Sequence, residues 1–328
     1  MDNLTHSLVG LFLARAGLKK VTPQGTAILV LAANIPDIDA VSLLGGAGTY
    51  LRWHRHLTHS LILLPFMALL AVVLVRLAGG KPVKWLAGWG IALAGVASHL
   101  ILDLTNIYGV RLLMPFSGRW FHWDITPVID GWIWGILALA IIAPALGRLV
   151  SAEIGDNRKT TGAGWAAVAL VLLFSYDAMR GILRDQVVSQ VEAHHYLGLA
   201  PRRVGAFPTG NPFVWTGVAE LSSAYAVIPT NLVAGFHVND AEILYKSEQT
   251  PEVNAAGNSE PFRRFLEFVQ WGLWVSDPSP DSELGTRITL ADLRFGTPRA
   301  LGFASVATVD RNGKVMDSYF TMSGMRPR

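Results

Sequence analysis

The chain has no cysteine among its 328 residues, and it is poor in charge. The lack of cysteine excludes disulfides and thiolate metal ligands, so any bound metal would be held by imidazole and carboxylate groups. Charged residues make up 16% of the chain, whereas soluble domains carry about 25%. Lysine and arginine are scattered rather than gathered into a run that would follow a phosphate backbone, so we do not expect nucleic-acid binding.

Apolar residues are abundant instead. They make up 51% of the chain, and the mean hydropathy is +0.37, which indicates a membrane protein. The first twenty residues include an acidic residue and a histidine, where a signal peptide would carry positive charge, and no cleavage site of small residues is evident. We therefore expect this segment to be retained.

The apolar segments predict five or six membrane elements. A spanning helix needs about 20 apolar residues, and four segments come close to that length or reach it. The first segment is short enough to be re-entrant or tilted, and Asn34, Pro36, Asp37 and Asp39 interrupt the second. In chain order the segments are 4–18, 25–44, 59–77, 85–107, 128–150 and 165–183.

The pattern changes after residue 184. Short stretches typical of strands occupy 213–221, 287–293 and 302–309, and Asn312-Gly313 predicts a hairpin with a two-residue type I′ turn, in which both residues have positive φ. Apolar residues at helical spacing predict one amphipathic helix over 261–273. We therefore predict a mainly α protein, with a polytopic helical membrane bundle over residues 1–184 followed by a smaller soluble α+β domain over 185–328.

The loop charges predict an orientation. One face receives nine lysines and arginines and the opposite face six, so the positive-inside rule places the first face in the cytoplasm. The polar residues of the membrane part then gather toward the extracytoplasmic face, as does the C-terminal domain.

Histidines and aspartates inside or beside the apolar segments predict a metal site. An ionisable side chain at the centre of a membrane helix costs about 2.5 to 3.5 kcal/mol unless it faces a partner, a cavity or a metal. His99 and Asp103 are four residues apart and share one helix face, and Pro36 disrupts the helix locally so that two nearby carboxylates can converge. The candidate ligands are His6, Asp37, Asp39, His54, His59, His99 and Asp103.

Simpler roles are open for the same residues. His6 could be a hydrogen-bonded core residue, and His99 could form an ion pair with Asp103. Asp37 could cap a helix, and Asp39 could be a counter-ion of Arg52 or Arg55. His56 is surplus to the ligand set. Further polar residues have the following expected roles: Asp124 and Asp130 as ligands or caps, Asp177 with Arg180 as an ion pair, and His194, His195 and His237 as ordinary surface or core residues.

Five motifs in order resemble the membrane-bound metal-dependent hydrolase family of the YdjM and YbcI type. They are Asp2-x-x-Thr5-His6-x-x-x-Gly10, Pro36-Asp37-Ile38-Asp39, His54-Arg55-x-x-Thr58-His59-Ser60, Ser98-His99-x-x-x-Asp103 and Met114-Pro115-Phe116-Ser117. The resemblance is close over about the first 130 residues and looser beyond. It implies a multi-pass inner-membrane hydrolase whose metal ligands are the seven candidates above. His56 stands where a glycine or another small residue is expected.

The His-x-x-x-Asp pair is also distantly similar to that of zinc-dependent phospholipases C and nucleases. This likeness suggests phosphoester cleavage by a metal-activated water, with a membrane lipid or lipid-linked molecule as substrate. We expect Zn²⁺, with Mn²⁺ or Fe as alternatives, and more than one ion. Whichever of Asp37 and Asp39 is not a ligand would act as general base, and Arg55 or Arg119 would bind the phosphate. The alternatives are a sensor or structural metal protein and an ion-coupled transporter. The oligomeric state is open.

Overall fold

In a computed structural model the chain forms two compact units. The structure describes residues 1–79, 81–153, 162–279, 285–298, 300 and 302–322. The first unit consists of Met1–Asp39, Arg55–Gln186 and Phe207–Trp215, and the second of Ala40–His54, Val187–Ala206 and Thr216–Arg328. The predicted boundary at residue 184 lies close to the point where the chain passes from the first unit to the second, but each unit also contains one segment from the other side of that boundary.

Helices build the first unit. They are α1 (Asn3–Ala16), α2 (Gly25–Ala32), α4 (Leu64–Gly79), α5 (Trp85–Thr105), α6 (Gly131–Glu153) and most of α7 (Gly162–Glu192). Three helical segments among the described residues are long and apolar enough to cross a membrane, Trp85–Thr105, Gly131–Leu149 and Gly162–Glu192, and two bent helix pairs raise the number to five if each is one span. The predicted helical membrane part is therefore confirmed, whereas the number of elements that cross stays a prediction.

Two glycines let the helices around α2 approach one another closely. A Cβ added at Gly10 of α1 would lie 2.7 Å from the carbonyl oxygen of Leu29, and one at Gly95 of α5 would lie 2.8 Å from the Cβ of Ala32. These distances are shorter than real Cβ contacts, so larger residues would push α1 and α5 away from α2. His6 and His99 each lie one helical turn from one of these glycines, and the close packing brings them together.

Two antiparallel sheets characterise the second unit. The first has the order β1 (Arg203–Pro208), β2 (Val214–Glu220), β3 (Ala224–Asn231) and β4 (Glu242–Tyr245). The second has the order β5 (Gly272–Pro278), β6 (Thr286–Asp292), β7 (Ala304–Val309) and β8 (Val315–Thr321). Helices α3 (Ala47–Trp53), α8 (Pro251–Gly257) and α9 (Glu260–Leu266) complete the unit, and α3 packs against α9.

The local predictions for this unit are mostly confirmed. The predicted strands match β2, β6 and β7 within about two residues, and a hairpin at Asn312-Gly313 joins β7 to β8. The predicted two-residue turn is wrong, because Asp310 and Lys314 close a loop of three residues in which only Gly313 has a positive φ, 80°. The helix predicted over 261–273 is wrong in its second half, because α9 ends at Leu266 and β5 begins at Gly272. Pairing of β5 with β6 and burial of Leu273 in the sheet outweigh the helical spacing.

Candidate metal centre

Helix α5 positions His99 and Asp103 in the interior of the first unit. Both side chains are fully buried and lie one helical turn apart on the same face. Nδ1 of His99 lies 2.8 Å from the carbonyl oxygen of Ala33 at the end of α2. Because a carbonyl oxygen only accepts, His99 donates from Nδ1, and the lone pair of Nε2 points into the site.

Two short helical turns supply the remaining donors. Helix α2 ends at Ala32, and a 3₁₀ segment over Ile35–Gly45 carries Asp37, since Pro36 has no N–H with which to continue the α-helix. A second 3₁₀ turn, Leu57–His59, carries His59, whose side chain is fully buried. The sequence predicted that Pro36 would redirect the neighbouring carboxylates, and the structure places Asp37 beside His59 and His99.

Four donor atoms from Asp37, His59, His99 and Asp103 converge. The two Nε2 atoms of the histidines lie 3.0 Å apart. Oδ1 of Asp37 lies 3.4 Å from His59 Nε2 and 3.6 Å from His99 Nε2. Oδ2 of Asp103 lies 3.4 and 3.3 Å from the same two atoms. These values are five of the six edges of one tetrahedron.

The size of this tetrahedron matches a transition-metal site. Zinc bonds to imidazole nitrogen and carboxylate oxygen are about 2.0 to 2.2 Å long, which gives tetrahedral edges of roughly 3.3 to 3.6 Å. The observed edges run from 3.0 to 3.6 Å. In the tautomer set by their Nδ1 partners, two imidazole lone pairs and two carboxylate oxygens face one another, and a cation would convert that mutual repulsion into attraction. The residues present therefore fit a divalent ion.

Outer contacts orient the candidate ligand His59. Nδ1 of His59 lies 3.2 Å from Oδ2 of Asp39 and 3.0 Å from the hydroxyl oxygen of Thr58. The same carboxylate oxygen accepts hydrogen bonds from the Thr58 hydroxyl at 2.6 Å and from the backbone N–H of Arg55 at 2.9 Å. A carboxylate behind a ligating histidine fixes the ring tautomer and orientation. Asp39 lies at that outer position, and its predicted direct ligation stays a prediction.

His6 adds a third imidazole, and a fifth donor residue, next to the tetrahedron. Its ring stacks on that of His99 with centroids 3.9 Å apart, and its Nε2 lies 3.5 Å from Oδ1 of Asp103. The side chain is 1% exposed, and neither ring nitrogen has a hydrogen-bond partner among the described residues. A buried imidazole with two unsatisfied nitrogens costs free energy unless a ligand completes it, which supports a role for His6 at this centre.

The two oxygens of Asp103 have different surroundings. Oδ1 accepts a hydrogen bond from Nη2 of Arg55 at 2.7 Å and another from the amino group of Met1. Oδ2, which faces the histidines, has no hydrogen-bond partner in the described part of the chain. The carboxylate is thus anchored through one oxygen and presents the other to the centre.

Arg55 was predicted to bind a phosphate, and sequence reasoning missed its contact with Asp103. Its Nη1 also donates to the side-chain oxygen of Asn106 and to the carbonyl oxygen of Gly109, both at 3.1 Å, and its guanidinium lies over the ring of Tyr108. A phosphate would compete with these acceptors, so the predicted clamp stays a prediction. The only feature of the sequence that could have indicated the contact with Asp103 was the position of Arg55 among the candidate ligands.

The other candidate residues make the following contacts. His54 belongs to the second unit, where it follows α3 and stacks on Tyr50 at 4.4 Å, and its ligation stays a prediction. His56 directly precedes the 3₁₀ turn that carries His59. Asp124 pairs with His122 at 2.7 Å, and Asp130 caps α6 through the backbone N–H of Trp132.

The ion pair predicted between Asp177 and Arg180 is not seen among the described residues. Nε of Arg180 donates instead to the carbonyl oxygen of Ile125 at 2.7 Å, and Oδ1 of Asp177 has no hydrogen-bond partner there. The long arginine side chain reaches backbone acceptors beyond its own helix, so the spacing of one turn did not decide its partner.

The comparisons with known proteins give a family but no activity. The family described as YdjM inner membrane protein matches residues 1–183, which include all seven candidate ligands. An uncharacterized protein of Bacillus subtilis (strain 168), YfhP, is 30% identical over 329 residues, covering 97% of this chain and 94% of its own length. No solved structure matches. The chain belongs to the YdjM inner membrane protein family.

Proposed function

We propose that this inner membrane protein is a metal-dependent hydrolase that cleaves a phosphoester of a membrane lipid or lipid-linked substrate. The observation that carries the metal requirement is the buried tetrahedron formed by Asp37, His59, His99 and Asp103. When bound, a divalent ion such as Zn²⁺ would polarise a phosphoryl oxygen and lower the pKa of a water near it. Hydrolysis then adds that water across the P–O bond and releases a phosphate and an alcohol.

The chain's own residues would hold and orient the site. Asp39 and the backbone carbonyl of Ala33 fix the two histidine rings, and Arg55 holds Asp103 through the oxygen that faces away from His59. Asp37 and Asp39 keep 8% and 7% of their side-chain surface accessible, whereas His59, His99 and Asp103 keep none. Substrate would therefore approach past the two aspartates. His6 is the spare imidazole for a fifth ligand or a hydrogen bond to substrate.

A structural or sensory metal site is the second candidate, and one observation favours it. Four protein donors already complete the tetrahedron, as in closed structural zinc sites, whereas a catalytic site usually keeps one position for water. In that case the ion would tie α2, α5 and the turn at His59 together, and the protein would hydrolyse nothing.

Elemental analysis of detergent-purified protein tests the metal centre, with wild type compared with Asp103→Asn. We expect at least one Zn, Mn or Fe ion per wild-type chain and a reduced content in the variant. Glu153→Gln, which changes an exposed residue of α6, is the matched control and should keep its metal. A folded wild-type protein that holds no ion even after addition of Zn²⁺ or Mn²⁺ would remove the basis of the proposal.

Two further measurements separate the two candidates. Release of p-nitrophenol from bis(p-nitrophenyl) phosphate, and of phosphate or a phosphate monoester from lipid extracts, should depend on the ion and fall in Asp103→Asn if the protein is a hydrolase. The visible spectrum of the Co²⁺-substituted protein should change on addition of phosphate if one position is open. An inert spectrum together with no turnover would establish the structural candidate.

A further inference from the structure

A cavity lies on the face of α5 that is opposite to the candidate metal centre. Ile101 and Thr105 line it, and they are offset by two residues from His99 and Asp103, which places them about 200° around the helix. The cavity has a volume of about 500 Å³, within the range of small-molecule sites. All of its lining residues belong to the first unit, and they come from α5, α7 and the segment before α6.

The walls divide into an apolar part and a polar part. Ile101, Trp123, Ile125, Phe174 and Ala178 form the apolar part, and Asp177 and Arg184 belong to the polar part. Phe174 is 77% exposed and Ile101 is 53% exposed. Large apolar side chains at the rim of a membrane helix bundle meet lipid tails rather than water, so the cavity opens toward the bilayer.

The end of the cavity at Arg184 lies at the depth of lipid headgroups. Helix α7 has 31 residues, and at 1.5 Å per residue it is roughly 46 Å long, which exceeds the hydrocarbon thickness of about 30 Å. Its first part is apolar, and its charged residues begin at Asp177. Arg184 lies roughly 33 Å along the axis from the first residue of α7. One end of the cavity is therefore interfacial and the other faces acyl chains.

Two residues that line this cavity each have a buried polar side-chain atom without a hydrogen-bond partner among the described residues. These atoms are the acceptor Oδ1 of Asp177 and the donor Nε of Arg184. The two residues are seven apart on α7 and so occupy the same helix face. Buried polar groups normally find partners, and a pair left open on residues that line one cavity points to a ligand that supplies one donor and one acceptor.

The neighbouring charges do not satisfy these atoms. Arg180 uses its guanidinium on carbonyl oxygens, with Nε 2.7 Å from that of Ile125, and on the ring of Trp215. His122 faces Asp124 at 2.7 Å. Asp185 accepts a hydrogen bond from Nη1 of Arg184 at 3.2 Å, whereas Nε of Arg184 has no hydrogen-bond partner among the described residues. The cavity thus offers a carboxylate for a cation and a guanidinium edge for an anion.

We propose that this cavity binds the headgroup of a membrane lipid that carries a primary ammonium beside a phosphate, as in phosphatidylethanolamine. The ammonium donates to Asp177, the phosphate accepts from Arg184, and the start of the acyl chains packs against Ile101 and Phe174. A trimethylated headgroup has no N–H to donate, and an anionic headgroup without an amine offers Asp177 no partner. This site is independent of the metal centre and of hydrolysis.

Native mass spectrometry of the protein released from nanodiscs tests this proposal. Nanodiscs with equal parts of phosphatidylethanolamine, phosphatidylcholine and phosphatidylglycerol should yield protein that retains mainly phosphatidylethanolamine. Asp177→Asn keeps the shape but removes the charge, and we expect the retained phosphatidylethanolamine to fall about tenfold, the effect of losing one hydrogen bond to a charged group. Arg184→Gln should lower it as well.

Glu153→Gln is the matched control, because it removes a negative charge from an exposed position on α6 outside the cavity. It should retain lipid as the wild type does. Equal retention of the three lipids, or unchanged retention in both Asp177→Asn and Arg184→Gln, would overturn the proposal. Metal content and the thermal unfolding curve of each variant show that a loss of lipid does not reflect a loss of fold.

Discussion

Both units bury charged side chains, but the two arrangements differ. In the second unit, Arg294 and Asp292 are fully buried and paired at 2.7 Å. Asp292 also accepts the backbone N–H of Gln270, and the guanidinium lies over the rings of Phe268 and Phe295. In the first unit, Asp37, His59, His99 and Asp103 instead direct four donor atoms toward one another at 3.0 to 3.6 Å. A buried pair that completes itself serves the fold, whereas a converging set of imidazole and carboxylate donors fits a metal ion.

The largest expected effect comes from His99→Ala, which should abolish metal binding. Removing one of four tetrahedral donors leaves three, while the helix keeps its apolar length and still inserts. Elemental analysis of the purified variant measures the ion, and circular dichroism checks the helices. His195→Ala, at an exposed histidine of the second unit, is the control and should keep its metal. A full complement of ion in His99→Ala would disprove the assignment of His99.

Asp292→Ala should strongly destabilise the protein and leave metal binding unchanged. The substitution leaves the guanidinium of Arg294 buried without its carboxylate, and such a loss costs about 3 to 5 kcal/mol of unfolding free energy. Unfolding by urea in detergent, followed by tryptophan fluorescence, measures this change. Asp277→Ala, at an exposed position of β5, should have little effect. Loss of the ion in folded Asp292→Ala would mean that the two buried charge systems are coupled.

Replacing both partners sharpens the same comparison. The double variant Asp292→Leu with Arg294→Met removes the charges together, so it should recover much of the stability lost in Asp292→Ala. Replacing two of the candidate ligands together, by contrast, should not restore ion binding, because those side chains bind a metal ion and do not simply pair with each other.

Asp39→Asn should weaken metal binding without abolishing it. Loss of a carboxylate behind a ligating histidine typically reduces metal affinity by about 10 to 100-fold, because the asparagine holds the Nδ1 hydrogen of His59 less strongly. Competition with a chelator of known affinity measures the change. An effect as large as that of His99→Ala would show that Asp39 is itself a ligand, as the sequence suggested.

The sequence predicted the donors of the metal centre better than their arrangement. His99 and Asp103 share a helix face, and Pro36 marks the break that redirects Asp37, so local spacing was enough for these residues. The contact between Arg55 and Asp103 joins positions 48 apart in the chain. Close packing at Gly10 and Gly95 likewise brings His6 and His99 together, and no local pattern encodes these long-range contacts.

The fold shows the same division between local and long-range information. The hairpin at Asn312-Gly313 was predicted from the backbone preferences of these two residues, although its loop has three residues and only Gly313 among them has a positive φ. Strand β5 was missed, because residues 269–273 fit a helical spacing in isolation and become a strand only by pairing with β6. The inclusion of Ala40–His54 in the second unit was not predicted either, since it depends on packing of α3 against the distant helix α9.

The smallest expected effect is at Glu220, which lies near the surface of the second unit. Its carboxylate pairs with Arg203 through one oxygen and with Lys246 through the other. Burial alone would raise the pKa of its carboxyl, but a hydrogen bond from Lys246 at 2.8 Å and the charge of Arg203 lower it below the ordinary value. A depressed carboxyl pKa stabilises the folded state above the unfolded pKa, about 4.3. This contribution is lost as the pH falls through the lower folded pKa.

Because the group is partly exposed, Glu220→Gln should cost about 0.2 to 1 kcal/mol of unfolding free energy at neutral pH. The difference from wild type should vanish in acid, whereas the exposed control Glu248→Gln should differ little at any pH. A loss above 3 kcal/mol, the lower end for a buried pair, would place Glu220 with Asp292 among the charges on which the fold depends.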